Sequence, residues 1–67
     1  MSQEYWFETF KDRNDEHRWA FKTRAFGKEM TLADSGEGYK NHGDMLRSIQ
    51  SFKDNGPTAP IVRRKED

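Results

Sequence analysis

The first half of the chain alternates apolar and polar positions with a period of two, and a helical period appears only after residue 41. Residues 4–11 (EYWFETFK) are aromatic-rich and predict a strand, with Tyr5, Phe7 and Thr9 on one face and Trp6, Glu8 and Phe10 on the other. Asp12-Arg13-Asn14-Asp15 predicts a polar turn. Residues 16–24 alternate more strictly, His17, Trp19, Phe21 and Thr23 against Arg18, Ala20 and Lys22, which predicts a half-buried strand paired with the first as a hairpin. A second turn at Ala25–Lys28 uses Gly27, and residues 29–34 (EMTLAD) predict a third strand, so the three form an antiparallel meander.

Ser35-Gly36-Glu37-Gly38-Tyr39-Lys40-Asn41 then joins sheet to helix. Asn41 is suited to cap a helix over residues 42–54, with Asp44 three positions on in a capping-box-like role. Met45, Ile49 and Phe52, flanked by Leu46, make one apolar stripe. Asn55-Gly56-Pro57 should end the helix, with Gly56 in the left-handed C-terminal position. Residues 59–63 (APIVR) are short and β-prone, and Pro60 suits an edge position. Residues 64–67 are a charged tail. The expected domain is therefore the whole of 1–67, ordered over about 4–63.

Size sharpens this picture. A 67-residue chain with 31% apolar and 36% charged residues has a thin core, although nine aromatics (five Phe, two Trp, two Tyr) enlarge it. Small cores usually need a disulfide, a metal or a partner subunit. Cysteine is absent, and His17 and His42 lie far apart in sequence with no ligand-like spacing to a third donor, so no metal or cofactor is expected. A partner subunit is the remaining staple. One helix also cannot cover all of Tyr5, Trp6, Phe7, Phe10, Trp19 and Phe21, and an exposed aromatic face suggests an interface. The formal net charge is zero, so no global field draws the chain to nucleic acid or membrane. No apolar run approaches a membrane span and the first residues do not read as a signal peptide, which makes the cytoplasm the expected compartment.

The order of Phe7-Glu8, Lys11-Asp12, Arg18-Trp19, Phe26-Gly27, Ala33-Asp34-Ser35, Glu37-Gly38-Tyr39 and Ser48-Ile49-Gln50-Ser51-Phe52-Lys53 resembles the YegP-like family of uncharacterised small proteins. The resemblance runs from about Tyr5 to Val62, and its strongest markers are the Arg-Trp pair and Ser-x-Glu-Gly-Tyr. It implies a single β-β-β-α-β unit, in which two units join into a continuous sheet and exchange their last strands. By resemblance, then, residues 59–63 would pair with the sheet of a second chain in a homodimer. The stretch Lys28–Leu32 is longer than the family's third strand, and Gly43 stands where the family commonly has a helix former. No catalytic residue carries over.

Several constellations invite chemistry. The glycines at 36 and 38 before a helix suggest a phosphate loop, but no Gly-Lys-Ser/Thr follows and Glu37 would repel an anion. A tight corner is the better reading, with the Tyr39 ring under the helix start and its hydroxyl bonded nearby. Lys11, Arg18, Lys22 and Arg24 beside strand aromatics suggest a single-stranded nucleic-acid platform, opposed by the interspersed Glu8, Asp12, Asp15 and Glu16. Glu8, Asp34 and Glu37 could serve as acid and base only if the fold brought them together, and His17 lacks a partner motif.

The sequence thus predicts an α+β fold and a non-catalytic dimeric binding or interaction module. Nucleic-acid binding on the sheet face is the alternative, and a small enzyme near Glu37 and Tyr39 at the dimer seam is the third reading. Arg18, Trp19, Glu37, Tyr39 and Ile61 are the candidate contact residues. No catalytic, cofactor or metal residue is assigned and no small-molecule ligand is specified.

Overall fold

The computed structural model describes residues 3–65. It is α+β: a three-stranded antiparallel sheet in the order β1-β2-β3, with one helix across a face. The strands are β1 (Glu4–Lys11), β2 (His17–Ala25) and β3 (Lys28–Asp34), and the helix α1 spans His42–Asn55. The three meander strands and the helix appear within one residue of the expected bounds.

Register fixes the faces. Phe7 pairs with Phe21, Thr9 with Trp19 and Tyr5 with Thr23, so these side chains share one face, as the alternation requires. On the other face, Trp6 pairs with Lys22, Phe10 with Arg18 and Glu4 with Arg24. The β2–β3 ladder slips between Phe21 and Lys22: Phe21 pairs with Ala33 and Lys22 with Thr31, which leaves Leu32 as the extra residue of a bulge. The long third-strand stretch is absorbed there.

The two hairpin turns differ. At β1–β2, the Asp12 carboxylate accepts the backbone N–H groups of Asn14 (2.8 Å) and Glu16 (3.1 Å), and Asp15 takes a left-handed conformation that Asp tolerates. At β2–β3 only Phe26 and Gly27 intervene, with φ of 55° and 72°. Two positive φ values in a two-residue loop make a type I′ turn, which matches the twist of the strands it joins. Phe26 is a bulky residue in a backbone region that suits Asn or Gly.

The helix forms as its signals require at one end and departs from them at the other. Asn41 Oδ1 accepts from the N–H groups of Gly43 (2.7 Å) and Asp44 (3.4 Å). Asp44 does not reach back to complete a capping box; its carboxylate pairs with Arg47 one turn on. Gly56 is not left-handed, with φ −57° and ψ −47°, because the chain tightens into a 3-10 turn over Gly56–Thr58 in which Pro57 has no donor to lose.

Within the single chain, residues 59–63 form no strand. Ala59 is extended, and the residues after the 3-10 turn pair with no strand of the sheet. Ile61 is fully exposed and Val62 nearly so. Proline at position 60 removes one ladder donor.

The core is correspondingly small. Among the described residues only Trp19, Ala20, Thr23 and Met45 are buried. Around Trp19 sit Phe7 (ring centres 5.3 Å apart) and Phe52 (5.4 Å), and Phe7 lies 4.9 Å from Phe21, so one aromatic cluster cements strands to helix. Met45, entirely buried, is the helix's deepest residue; Ile49 is half-buried and Leu46 is largely exposed.

Candidate functional site

The strand-to-helix corner is stapled to β2 by main-chain bonds. Ser35 N–H donates to Trp19 O (2.9 Å), while Tyr39 N–H donates to His17 O (2.9 Å) and receives the His17 N–H at its own carbonyl (2.7 Å). The Ser35 hydroxyl donates to Glu37 O (2.9 Å), and Asp34 Oδ1 accepts the Gly36 N–H (2.9 Å). Gly36 supplies a positive φ of 69°. Gly38 has a different job: a Cβ there would lie 2.9 Å from the Glu16 Cβ, so glycine allows a close approach to the start of β2. With the Ser35, Gly36 and Tyr39 N–H groups bonded internally and an acidic Glu37 in the loop, the corner is built as a joint rather than a phosphate cradle. The Tyr39 hydroxyl makes no hydrogen bond among the described residues, against expectation; the residue is held by its backbone.

The face away from the helix is a lattice of ion pairs. Lys22 Nζ bridges Glu29 (2.9 Å) and Glu8 (3.4 Å), and Arg24 pairs with Glu4 (3.1 Å) and stacks over the Trp6 ring at 5.3 Å; Lys11, at the β1–β2 turn, pairs with Asp15 (3.4 Å). Arg18 Nε donates to Asp12 Oδ2 at 2.5 Å. That bond holds the Asp12 carboxyl below its ordinary range and raises the guanidinium further. Lys22 and Glu29 do the same to one another, the amine raised and the carboxyl lowered chiefly by their shared hydrogen bond. Each cation proposed as a nucleic-acid contact is thus matched by a carboxylate.

Expected acid–base partners stay apart. Glu8 and Asp34 both face Ala20 from opposite sides, which separates their backbones by two strand spacings, about 9.5 Å. Glu37 is exposed, and its side chain makes no hydrogen bond among the described residues. Of the five candidate contacts, Trp19 and Tyr39 lie close to the corner, Arg18 projects from the opposite face, and Ile61 lies in the exposed tail. They do not converge on one site. No three histidine or acidic side chains converge as metal ligands among the described residues.

What sequence reasoning missed is a groove. Phe7, Phe21, Phe52, Lys53, Gly56 and Pro57 line an open, mostly apolar cavity of about 510 Å³ where the helix ends over β1. Tyr5 stacks on Phe21 at 5.9 Å and extends this surface, with Tyr5 and Met30 about half exposed. The signal was the mismatch between aromatic count and helix length. The second omission is Ser48, whose hydroxyl accepts the Trp19 indole N–H at 2.8 Å.

The shared order of these elements decides the family. Residues 12–62 match the model of a domain of unknown function, DUF1508. The chain belongs to the DUF1508 family. It is similar to a UPF0339 protein of Agrobacterium fabrum, 43% identical over 58 residues that cover 87% of each chain. A UPF0339 protein of Mesorhizobium japonicum is 38% identical over 55 residues, covering 82% of this chain and 86% of that one. The fold is also that of a Haloferax volcanii protein solved in solution by NMR, with a TM-score of 0.78, 34% identity and coverage of 91% of this chain and 97% of that one. No helix among the described residues is long and apolar enough to cross a membrane.

Proposed function

We propose that this DUF1508 chain is a non-catalytic interaction module that works as a homodimer, with residues 59–63 of each copy added to the sheet of the other. The observation that carries this is the tail itself: Ile61 and Val62 stand in solvent while an apolar groove of about 510 Å³ lies open beside Gly56 and Pro57. Two large apolar side chains and an uncovered aromatic surface on one small chain are complementary halves of an interface. The edge strands favour β1 as acceptor. It offers eight residues in unbroken register, whereas the bulge at Leu32 interrupts the pairing of β3 with β2 and distorts that edge. The cytoplasm suits such a module, since a cysteine-free domain loses no disulfide in a reducing compartment.

The ion-paired face gives less support to nucleic-acid binding, because each basic side chain would have to leave a carboxylate to meet a phosphate. The enzyme reading has no converged acid–base pair behind it.

Sedimentation equilibrium on the full chain tests the proposal. A dimer at micromolar concentration is expected, and it should dissociate in Ile61→Asp/Val62→Asp, which leaves the helix and sheet residues intact. A monomeric wild type, or a variant that dimerises as well as the wild type, overturns it.

A further inference from the structure

His17 and His42 are 25 positions apart in sequence, yet their rings meet at 5.2 Å between centres with planes at 74°. His17 opens β2 and His42 opens α1. The double backbone bridge between His17 and Tyr39 and the Asn41 cap fix the two backbones relative to one another. The corner is what brings these sequence-distant histidines together. Neither imidazole makes a hydrogen bond among the described residues, so the ring nitrogens are uncommitted.

We propose that His17 and His42 form a two-histidine site for a borderline divalent transition metal of the copper, nickel and zinc group. Imidazole is a preferred ligand for these ions, and the hard cations magnesium and calcium would gain little from it. The spacing fits. A metal–nitrogen bond of about 2.0–2.1 Å sets each ring centre roughly 3.2 Å from a shared ion. Two such spokes at a tetrahedral angle of about 109° separate the ring centres by about 5.2 Å, the separation found here. His42 is exposed and turns about its own side-chain torsions to aim its nitrogen at that point, while half-buried His17 is the fixed ligand. Two protein ligands leave the remaining positions to water or to a donor from another molecule. The site is therefore open and exchangeable, unlike the closed four-ligand sites that hold small folds together.

The site stands apart from the apolar groove and does not depend on the dimer. Titration of the full chain with copper(II), followed by NMR, tests it. Substoichiometric copper should broaden the His17 and His42 ring signals first, and zinc should bind with the same one-to-one stoichiometry but more weakly, as the order of divalent affinities requires. His42→Gln and His17→Gln should each weaken binding at least about tenfold, with His42→Gln leaving the thermal midpoint unchanged. Broadening centred elsewhere, equal affinity in His42→Gln, or no saturable binding up to millimolar copper overturns the proposal.

Discussion

Trp19 donates its indole N–H to the Ser48 hydroxyl across 2.8 Å, and Ser48 in turn donates to Met45 O at 2.7 Å. This relay is the polar link between sheet and helix inside the small core. It lets a tryptophan that is only 5% exposed keep its donor satisfied. In Ser48→Ala the buried N–H loses its acceptor, at a cost of about 1–3 kcal/mol. Urea denaturation should show a lower midpoint with an unchanged slope. A midpoint equal to the wild type's would mean that water replaces the hydroxyl.

Phe26 stands at the β2–β3 tip, 91% exposed and with φ of 55°. It gains no burial to offset a backbone that costs a bulky residue about 1–3 kcal/mol. Phe26→Asn creates the Asn-Gly pair that type I′ turns favour, and should stabilise the chain by about 1 kcal/mol. Thermal denaturation checks this: a higher midpoint is expected, and a lower one would show that the ring has a contact worth more than the turn.

Gly38→Ala should have the opposite effect. Its new Cβ would press on the Glu16 Cβ, which is tied to the backbone and cannot swing aside. Overpacking of this kind costs about 1–3 kcal/mol. Gly36→Ala is also destabilising, but through its positive φ. Removing the Glu16 side chain beyond Cβ with Glu16→Ala should rescue Gly38→Ala only in part and Gly36→Ala not at all, which equilibrium unfolding of the double variants will read.

The Asp12–Arg18 bond sets a pH dependence. A carboxyl lowered by its folded-state partner contributes stability that is complete above the ordinary aspartate range and is lost as pH falls through the folded value. Glu29, lowered by Lys22, acts with the same sign. The raised amine of Lys22 has the opposite dependence: its contribution is lost as pH rises through its folded value. Denaturant midpoints measured on acidification should fall more gently in Asp12→Asn than in the wild type, since Asn keeps an acceptor for the turn but gives up the charge that Arg18 meets. Parallel acid limbs in the two proteins would count against this assignment.

Period and turn chemistry made the sheet and helix legible, because Phe7, Trp19 and Phe21 share one face and a one-residue slip would turn them away from the helix. Asn41, Gly27 and Gly36 announced their roles through residue type. What stayed hidden depended on three-dimensional placement. Gly38 reads like any turn glycine, yet it is required by Glu16, which precedes it by a whole hairpin. Ser48 reads as a polar interruption in the helix stripe until Trp19 is set opposite. The meeting of His17 and His42 depends on where the corner closes, and no spacing rule encodes that. The segment 59–63 has strand composition without a strand beside it, since local propensity does not supply a pairing neighbour.

The bulge at Leu32 has a consequence for how far assembly proceeds. A sheet with two equivalent edges is a template at both ends, and nothing in its geometry tells growth to stop. Here the extra residue in β3 makes the two borders unlike: β1 keeps an unbroken register along its length and β3 does not. A filament built by pairing sheets border to border would need both borders, and the bulge withdraws β3 from that role.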